Sequence, residues 1–362
     1  MHYYRIADVT LQSVYRLQSF GEFACEPAEA DMVLEGTDEM PPPGEGLYIG
    51  SLTRLMTPEG WYFYPEHDKQ NGLFISGDYT HLRLRGIRGT EVAGMAEWTV
   101  RIAIECLLAK RGFVSLHSAA VEVNGEAIAF TGPSGMGKST RAQAWIDAMG
   151  AELINGDRPL IDVRNMELYG VPWDGKEQCF RNVHYPLKAI CEVRRSESVH
   201  VREMDFTQRR KLLMRQCFLP MWDSETAAIQ MANISKLARN ANIVRIFCGP
   251  TTEDAVALCS AIQEGDYLKE EKDMKANPGF VLRNVVDEYI LMPTGDNIGK
   301  FNGTVLLNEV SALVWEKLQN PISREDLLKA ILDEFEVEKA VAAADLDALL
   351  AKLKEYGVIS ED

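Results

Sequence analysis

Short apolar runs alternate with polar and turn-forming residues over the first 110 positions of the chain. Several of these runs alternate strictly or are rich in aromatic residues, for example 46–56 and 60–64, and Asn71 and Gly72 supply turn chemistry before the next run. Residues 97–110 have apolar side chains at helical spacing. The pattern predicts a β-rich N-terminal part, 1–110, that ends in a helix, with the acidic, proline-containing segment 26–45 as a loop.

The pattern changes at residue 111. From there to residue 265, apolar runs suited to buried strands alternate with helical patterns, which is typical of an α/β fold. The charged, weakly apolar stretch 266–276 predicts a linker. Residues 277–362 then predict three short strands followed by three amphipathic helices, which is enough chain for a small independent α+β domain.

Composition narrows the classes of partner. The 362 residues carry a formal net charge of −16, which argues against nucleic acid and anionic membranes because phosphate contacts need clustered Lys and Arg. No apolar stretch reaches membrane-spanning length, and the N-terminus lacks a signal-peptide core. The seven cysteines are dispersed, as expected in a reducing compartment. We therefore expect a cytoplasmic protein with no nucleic-acid or membrane partner.

One motif carries chemistry. Residues 132–139 match the phosphate-binding pattern G-x-x-x-x-G-K-[ST], an apolar run precedes them and a helical pattern follows. Glycines let backbone N–H groups point at phosphate oxygens, and the start of the helix adds partial positive charge. We expect ATP and Mg²⁺ as ligands, with Lys138 reaching the terminal phosphates and the Ser139 hydroxyl contacting the metal. The predicted nucleotide contacts are Gly132, Pro133, Ser134, Gly135, Met136, Gly137, Lys138, Ser139 and Thr140.

An aspartate follows the motif at short range. Asp157 closes the next apolar segment only 19 positions after Lys138 (157 − 138 = 19). This tight strand, loop, helix, strand and Asp unit resembles the HPr kinase and phosphoenolpyruvate carboxykinase group, with matches at 116–118, in the loop and at 153–157. HPr kinases usually place two aspartates where this chain has Gly156 and Asp157. The resemblance therefore implies a kinase without implying the reverse phosphorylase reaction.

The resemblance also assigns roles. It implies ATP-dependent phosphorylation of a serine-type hydroxyl, in which Asp157 accepts the hydroxyl proton or orients the nucleophile and contacts the metal together with Ser139. Lys138 would neutralise charge on the transferred phosphoryl group. His117 would form a hydrogen bond near phosphate or substrate. The structural alternatives are a turn residue in Asn-Gly-Asp for Asp157 and an ordinary strand histidine for His117.

Two further cations are candidates for substrate binding. Lys176 and Arg181 follow a segment with two glycines, a proline and an aromatic residue, a composition that predicts a rigid loop. Either residue could approach the γ-phosphate or the acceptor. A surface turn with solvated charges explains them equally well.

The C-terminal domain resembles the PqqD-like peptide-recognition family. The resemblance is carried by residues 280–283, 289–291, 306–316, the helical pattern from Ser323 and the closing run 353–359. It implies a small winged-helix fold that binds the leader of a ribosomally made peptide as an added strand. The alternative is a winged-helix module for contact with another protein or for dimerisation.

Together these features predict a kinase that phosphorylates a Ser or Thr of a precursor peptide captured by its C-terminal domain, in ribosomal-peptide maturation. Peptide-maturation enzymes are further expected partners, and a homo-oligomer is compatible with the kinase resemblance. The alternatives are a kinase for a free small molecule such as serine, a regulatory protein kinase, and an ATP-binding peptide chaperone without kinase activity.

Overall fold

The computed structural model describes residues 1–49, 52–173, 175, 178–196, 198–269, 274–285, 288–298 and 305–361. The chain divides into two compact units, Met1–Lys269 and Glu270–Asp362. Each unit has its own apolar core and is described by itself.

The N-terminal unit contains nineteen named strands and five α-helices among its described residues. The strands are β1 (His2–Ile6), β2 (Val9–Ser13), β3 (Arg16–Leu17), β4 (Met32–Thr37), β5 (Leu47–Ile49), β6 (Leu52–Thr57), β7 (Gly60–Pro65), β8 (Gly72–Ser76), β9 (His81–Arg85), β10 (Glu91–Val92), β11 (Phe113–Ser115), β12 (Ser118–Val123), β13 (Glu126–Thr131), β14 (Glu152–Asn155), β15 (Leu160–Asp162), β16 (Glu167–Tyr169), β17 (His184–Arg195), β18 (His200–Glu203) and β19 (Ile243–Cys248). The helices are α1 (Met95–Lys110), α2 (Lys138–Met149), α3 (Phe206–Gln216), α4 (Ser224–Asn240) and α5 (Thr252–Glu264).

An eight-stranded sheet forms the front of this unit, in the order β1-β2-β4-β9-β8-β7-β6-β5. Most of its buried side chains pack with those of α1 in one core cluster, and Leu55, Tyr62, Tyr64 and Phe74 form a separate small cluster. The position of β4 corrects the prediction of a loop over 26–45, because β4 pairs in parallel with β2 and with β9 in the interior of the sheet. Met32 and Leu34 are fully buried there. The apolar run of β4 is short, and the acidic and proline residues on either side of it give segment 26–45 the composition of a loop.

The second large sheet has β13 at its centre. It pairs antiparallel with β12 and parallel with β17, and β17 pairs parallel with β19. Successive β13 side chains face opposite sides: Phe130 packs in a cluster with Trp145 of α2, whereas Ala129 belongs to the cluster that contains Ile234 of α4. Helices α2 and α5 therefore cover one face, and α3 and α4 cover the other. This layered arrangement confirms the predicted mixed α/β class.

The C-terminal unit combines small sheets with three helices. Its elements are β20 (Met274–Ala276), β21 (Phe280–Val285), β22 (Glu288–Pro293), β23 (Val305–Leu307), α6 (Glu309–Lys317), α7 (Arg324–Glu334), α8 (Lys339–Glu355) and β24 (Ile359–Glu361). Strand β22 lies between β21 and β23, and β20 pairs with β24. Residues 274–276 thus form a strand, so the linker prediction was wrong for this part of 266–276. Of these residues Met274 is buried in the core, Ala276 packs against it and Lys275 is exposed, so the apolar signal is short.

Local sequence explains the helix boundaries of this unit. The Asn308 side chain accepts a hydrogen bond from the Ser311 N–H and caps α6, and Ser323 caps α7 in the same way through the Asp326 N–H. Gly357 follows α8 with φ of +64°, a left-handed conformation that suits glycine. The three helices close over a core that contains Trp315, which is 3% exposed.

The core position of Trp315 gives a stability prediction. Trp315→Ala removes a large buried side chain and leaves a cavity, so we expect the C-terminal unit to lose about 3–5 kcal/mol of unfolding free energy. Chemical denaturation followed by circular dichroism measures this change. Leu306→Ala is the matched control, since Leu306 is 65% exposed and a surface change should stay within about 0.5 kcal/mol. Equal losses in both variants would contradict the core assignment.

Candidate functional site

The phosphate-binding motif occupies the connection between β13 and α2. β13 ends at Thr131 and α2 begins at Lys138, as the sequence predicts. Gly135 and Gly137 have φ of +80° and +91°, which side-chain-bearing residues rarely adopt. Gly137 is also the N-cap of α2 and provides no side-chain cap. The first N–H groups of α2 are therefore presented at the loop without a capping side chain, as an anion site requires.

Lys138 folds back over this loop. Its Nζ donates a hydrogen bond to the Gly132 carbonyl oxygen at 3.2 Å, and the residue is half-buried. Burial lowers the pKa of Lys138; the Asp157 carboxylate opposes this shift, and Arg158 adds to it. Lys138 thus interacts with the loop and with Asp157, and its ammonium can bind an anionic group at the loop.

Asp157 projects from a turn that Asn155 holds in place. The Asn155 side chain is fully buried, and its Oδ1 accepts hydrogen bonds from the N–H of Asp157 at 3.1 Å and of Arg158 at 2.8 Å. Its Nδ2 donates to the Trp173 carbonyl oxygen at 2.9 Å. The Asp157 side chain itself is 28% exposed. The turn chemistry thus positions the carboxylate with part of its surface accessible to a ligand.

His117 lies at the break between β11 and β12. Its carbonyl oxygen accepts a hydrogen bond from Thr131 Oγ1 at 2.8 Å, which ties it to the last residue of β13. Its Nε2 is 3.6 Å from Asp157 Oδ1. Burial lowers the pKa of His117. The charges of Lys138 and Arg158 lower this pKa further, whereas the Asp157 carboxylate raises it. His117, Lys138 and Asp157, which lie far apart in sequence, therefore meet beside the carboxyl end of β13.

The two other predicted cations have different outcomes. Arg181 is held along the edge strand β14: its Nη1 donates to the Leu153 carbonyl oxygen at 2.9 Å, and its Nη2 donates to Glu152 Oε2 at 2.7 Å. These partners lie toward the start of β14, whereas Asp157 follows its end. They give Arg181 a structural role, and its role in substrate binding stays a prediction. Lys176 lies outside the described residues.

Sequence reasoning missed three cations at the site. Arg158 follows Asp157 directly and contributes to the pKa shifts of Lys138 and His117. Arg195, at the end of β17, donates from Nη2 to the Gly135 carbonyl oxygen at 2.7 Å. Arg101 of α1 has its Nη1 4.0 Å from Asp157 Oδ2. The available signal for Arg101 was a charged residue inside a mostly apolar helix, with a carboxylate four positions later.

The donor set fits a nucleotide with Mg²⁺. Among the described residues there is no group of three or more His, Cys, Asp and Glu side chains arranged to hold a metal. Mg²⁺ does not need such a group, because it is commonly held by one or two protein oxygens together with phosphate oxygens and water. Ser139 and Asp157 would be the two protein ligands. A cleft of about 410 Å³ in the same unit lies elsewhere, beside the β12–β13 turn and the C-terminal end of α2.

The C-terminal unit presents a different kind of surface. Strand β23 pairs with β22 on one side, and the described residues include no strand on its other side. The side chain of Leu306 on this strand is mostly exposed. An edge of this kind can accept an extended peptide as a further strand.

Comparison with known proteins bears on this second unit. Residues 288–359 match the family model described as coenzyme PQQ synthesis protein D (PqqD), so the unit carries a PqqD domain and the predicted resemblance is confirmed for it. Two solved structures are similar over 24% of this chain: lasso peptide synthetase B1 complexed with the leader peptide (25% identity, 98% of that chain, TM-score 0.21), and TbiB1 in complex with the TbiA(beta) leader peptide (21% identity, 94% of that chain, TM-score 0.21). None of the curated proteins compared matches this chain. The kinase resemblance of the N-terminal unit stays a prediction.

One structural finding concerns membranes. Within the described residues, every helix is too short or too polar to span a bilayer.

The opposing charges around His117 give a prediction that needs no ligand. Lys138→Met removes a cation that lowers the pKa of His117, so the imidazole should titrate at higher pH than in the unmodified protein. Asp157→Asn removes the carboxylate that raises this pKa, so titration should move to lower pH. NMR of the imidazole signal across a pH series measures both shifts, with the signal of the exposed His67 as an internal control. Shifts of the same sign in the two variants would disprove the arrangement.

Proposed function

We propose that the N-terminal unit is an ATP- and Mg²⁺-dependent kinase that phosphorylates a Ser or Thr hydroxyl of a ribosomally made precursor peptide, and that the PqqD domain captures this peptide. The observation that carries the kinase proposal is the convergence of His117, Lys138 and Asp157 beside a glycine-rich loop with an uncapped helix start. Phosphoryl transfer relies on positioning and electrostatic stabilisation, which such an arrangement supplies.

The loop and its cations would bind the phosphates. The N–H groups at the start of α2 would bind phosphate oxygens, the Lys138 ammonium lies at the Gly132 carbonyl of the same loop, and Arg195 adds a cation at the Gly135 carbonyl. Bound ATP with Mg²⁺ would supply the phosphoryl group and screen its negative charge. The chain's own contribution is to fix the phosphates against the end of β13 and to exclude competing orientations.

Asp157 would act on the acceptor hydroxyl. Its partly exposed carboxylate can accept a hydrogen bond from the hydroxyl and then its proton as the phosphoryl group is transferred. His117, whose pKa is lowered by burial, is neutral at physiological pH and can donate or accept a hydrogen bond beside the carboxylate. The single aspartate agrees with transfer in the forward direction.

The PqqD domain would provide the peptide. Its edge strand β23, with the exposed Leu306, is suited to an added strand from an extended leader segment. Binding the leader raises the local concentration of the acceptor at the kinase, so the contact at the phosphate site itself can be weak. We place this reaction in the cytoplasm, where ATP and newly made peptides meet.

The kinase proposal is tested at Asp157. Asp157→Asn removes the proton acceptor, so we expect phosphate transfer to fall about 10²–10⁴-fold while ATP binding is retained. The assay is mass spectrometry, after incubation with ATP and Mg²⁺, of candidate precursor peptides sought in the short reading frames that neighbour this protein's gene. Asp147→Asn is the matched control, because Asp147 is exposed on α2 and bonds only to Gln143 among the contacts described. A peptide of unchanged mass with ATP bound would favour the chaperone alternative over a kinase.

The role of the PqqD domain is tested separately. Leu306→Asp places a charge on the edge strand, and we expect peptide affinity to fall at least about tenfold, as one charged group facing a desolvated contact typically costs. Fluorescence anisotropy of the labelled peptide measures this change, and ATP affinity should stay the same. Deleting residues 277–362 should abolish peptide phosphorylation; a kinase for free serine would keep its activity after this deletion.

A further inference from the structure

Arg101 is a buried cation contributed by the β-rich front of the N-terminal unit. Its side chain is 7% exposed, and its Nε lies 3.1 Å from Oε2 of Glu105, one helical turn later. The guanidinium carbon lies 5.5 Å from the ring centre of Trp98 and 5.7 Å from that of Trp173. Two aromatic rings and a carboxylate thus define the orientation of this guanidinium, since a planar cation stacks on ring faces.

The remaining edge of the guanidinium faces the turn that carries Asp157. Nη1 is 4.0 Å from Asp157 Oδ2, while the other oxygen of that carboxylate is 3.6 Å from His117 Nε2. The carboxylate is therefore placed between two nitrogen-bearing groups. Each oxygen has one such neighbour, which limits rotation of the side chain.

A second path connects Arg101 to the backbone of the same turn. Trp173, which contacts the guanidinium through its ring, donates from Nε1 to the Arg158 carbonyl oxygen at 3.1 Å. Its own carbonyl oxygen accepts from Asn155 Nδ2. Trp173 therefore contacts the turn on both sides of Asp157, and Arg101 packs against it.

Glu105 extends the network to the other half of the site. Its Oε1 accepts a hydrogen bond from Ser115 Oγ at 2.5 Å, and Ser115 ends β11 two residues before His117. Helix α1 thus contacts the segment that carries Asp157 through Arg101, and the segment that leads to His117 through Glu105.

We propose that Arg101 is a positioning residue that holds the Asp157 carboxylate toward the phosphate-binding loop, with Trp173 and Glu105 fixing its own orientation. This inference rests on the proposed kinase function for its catalytic consequence, although the geometric part stands without it. The front half of the unit, residues 1–110, which holds none of the site residues predicted from the sequence, then contributes a side chain to the proposed reaction centre. Asp157 can accept a proton productively only in one orientation, and Arg101 selects that orientation.

The test separates chemistry from binding. In Arg101→Gln we expect kcat for phosphorylation of the co-encoded peptide to fall about 10- to 100-fold, as expected for a misplaced catalytic group. The Kd for ATP, measured by isothermal titration calorimetry, should change less than about twofold, because the ion-pair partners of Arg101 among the described residues are Glu105 and Asp157. Arg101→Lys keeps the charge but lacks the planar stack and should recover part of the lost kcat.

A second readout does not depend on activity. Amide hydrogen exchange at Asp157 and Arg158 should become at least about tenfold faster in Arg101→Gln, because local opening of a less restrained turn exposes these N–H groups. Arg164→Gln is the matched control: it also removes an ion-pair partner of a buried carboxylate, that of Asp162 at the end of β15, five residues after Asp157. The control should leave both exchange rates and kcat unchanged.

The outcomes distinguish the two proposals. Absence of transfer by the unmodified protein, with faster exchange in Arg101→Gln, would overturn the kinase function and leave the positioning role supported. Unchanged exchange and unchanged kcat in Arg101→Gln would overturn the positioning role while the kinase function stands. Equal effects in Arg164→Gln would show a general loss of stability and would also overturn it.

Discussion

The pairing of β13 with β12 on one side and β17 on the other is the constraint on which the candidate site depends. β13 is buried on both faces, so its direction and register are set by apolar packing as well as by hydrogen bonds. Its carboxyl end fixes the start of the phosphate-binding loop. The Thr131 hydroxyl bonds to the His117 carbonyl, and the Ser118 N–H bonds to the Asp157 carbonyl oxygen at 2.9 Å. These bonds hold the loop, His117 and Asp157 close to the carboxyl end of β13.

Positively charged side chains cluster around the carboxyl end of β13, although the chain as a whole is acidic. The protein as a whole carries a formal charge of −16, yet Lys138, Arg158 and Arg101 gather around the single carboxylate of Asp157. A local excess of cations in a partly buried place favours an anionic ligand, since a low-dielectric environment strengthens its attraction. The lowered pKa values of Lys138 and His117 arise from the same burial. Shifts of this kind are typical of functional sites.

The two units contribute different kinds of recognition. The N-terminal unit places polar side chains at the ends of buried strands, where a small charged ligand can be surrounded. The PqqD domain has a sheet edge instead, which offers main-chain hydrogen bonds along an extended chain. The proposed function joins these two modes, because a peptide held by its leader segment leaves the rest of its chain available to the proposed phosphate-transfer site.

Local patterns in the sequence determined a large part of this protein: the α/β class, the loop between β13 and α2, the helices of the C-terminal unit and its PqqD resemblance. These features depend on neighbours a few residues apart, as in the motif 132–139 or the cap Asn308. Only the tertiary structure decided that β4 is an interior strand, that Arg181 pairs with Glu152, and that Arg101 reaches Asp157. Each of these depends on partners distant in the chain, and the helical spacing that identifies α1 does not say which element its polar positions will face. Packing against the second sheet decides that, and it places the buried Arg101 of the front half beside Asp157.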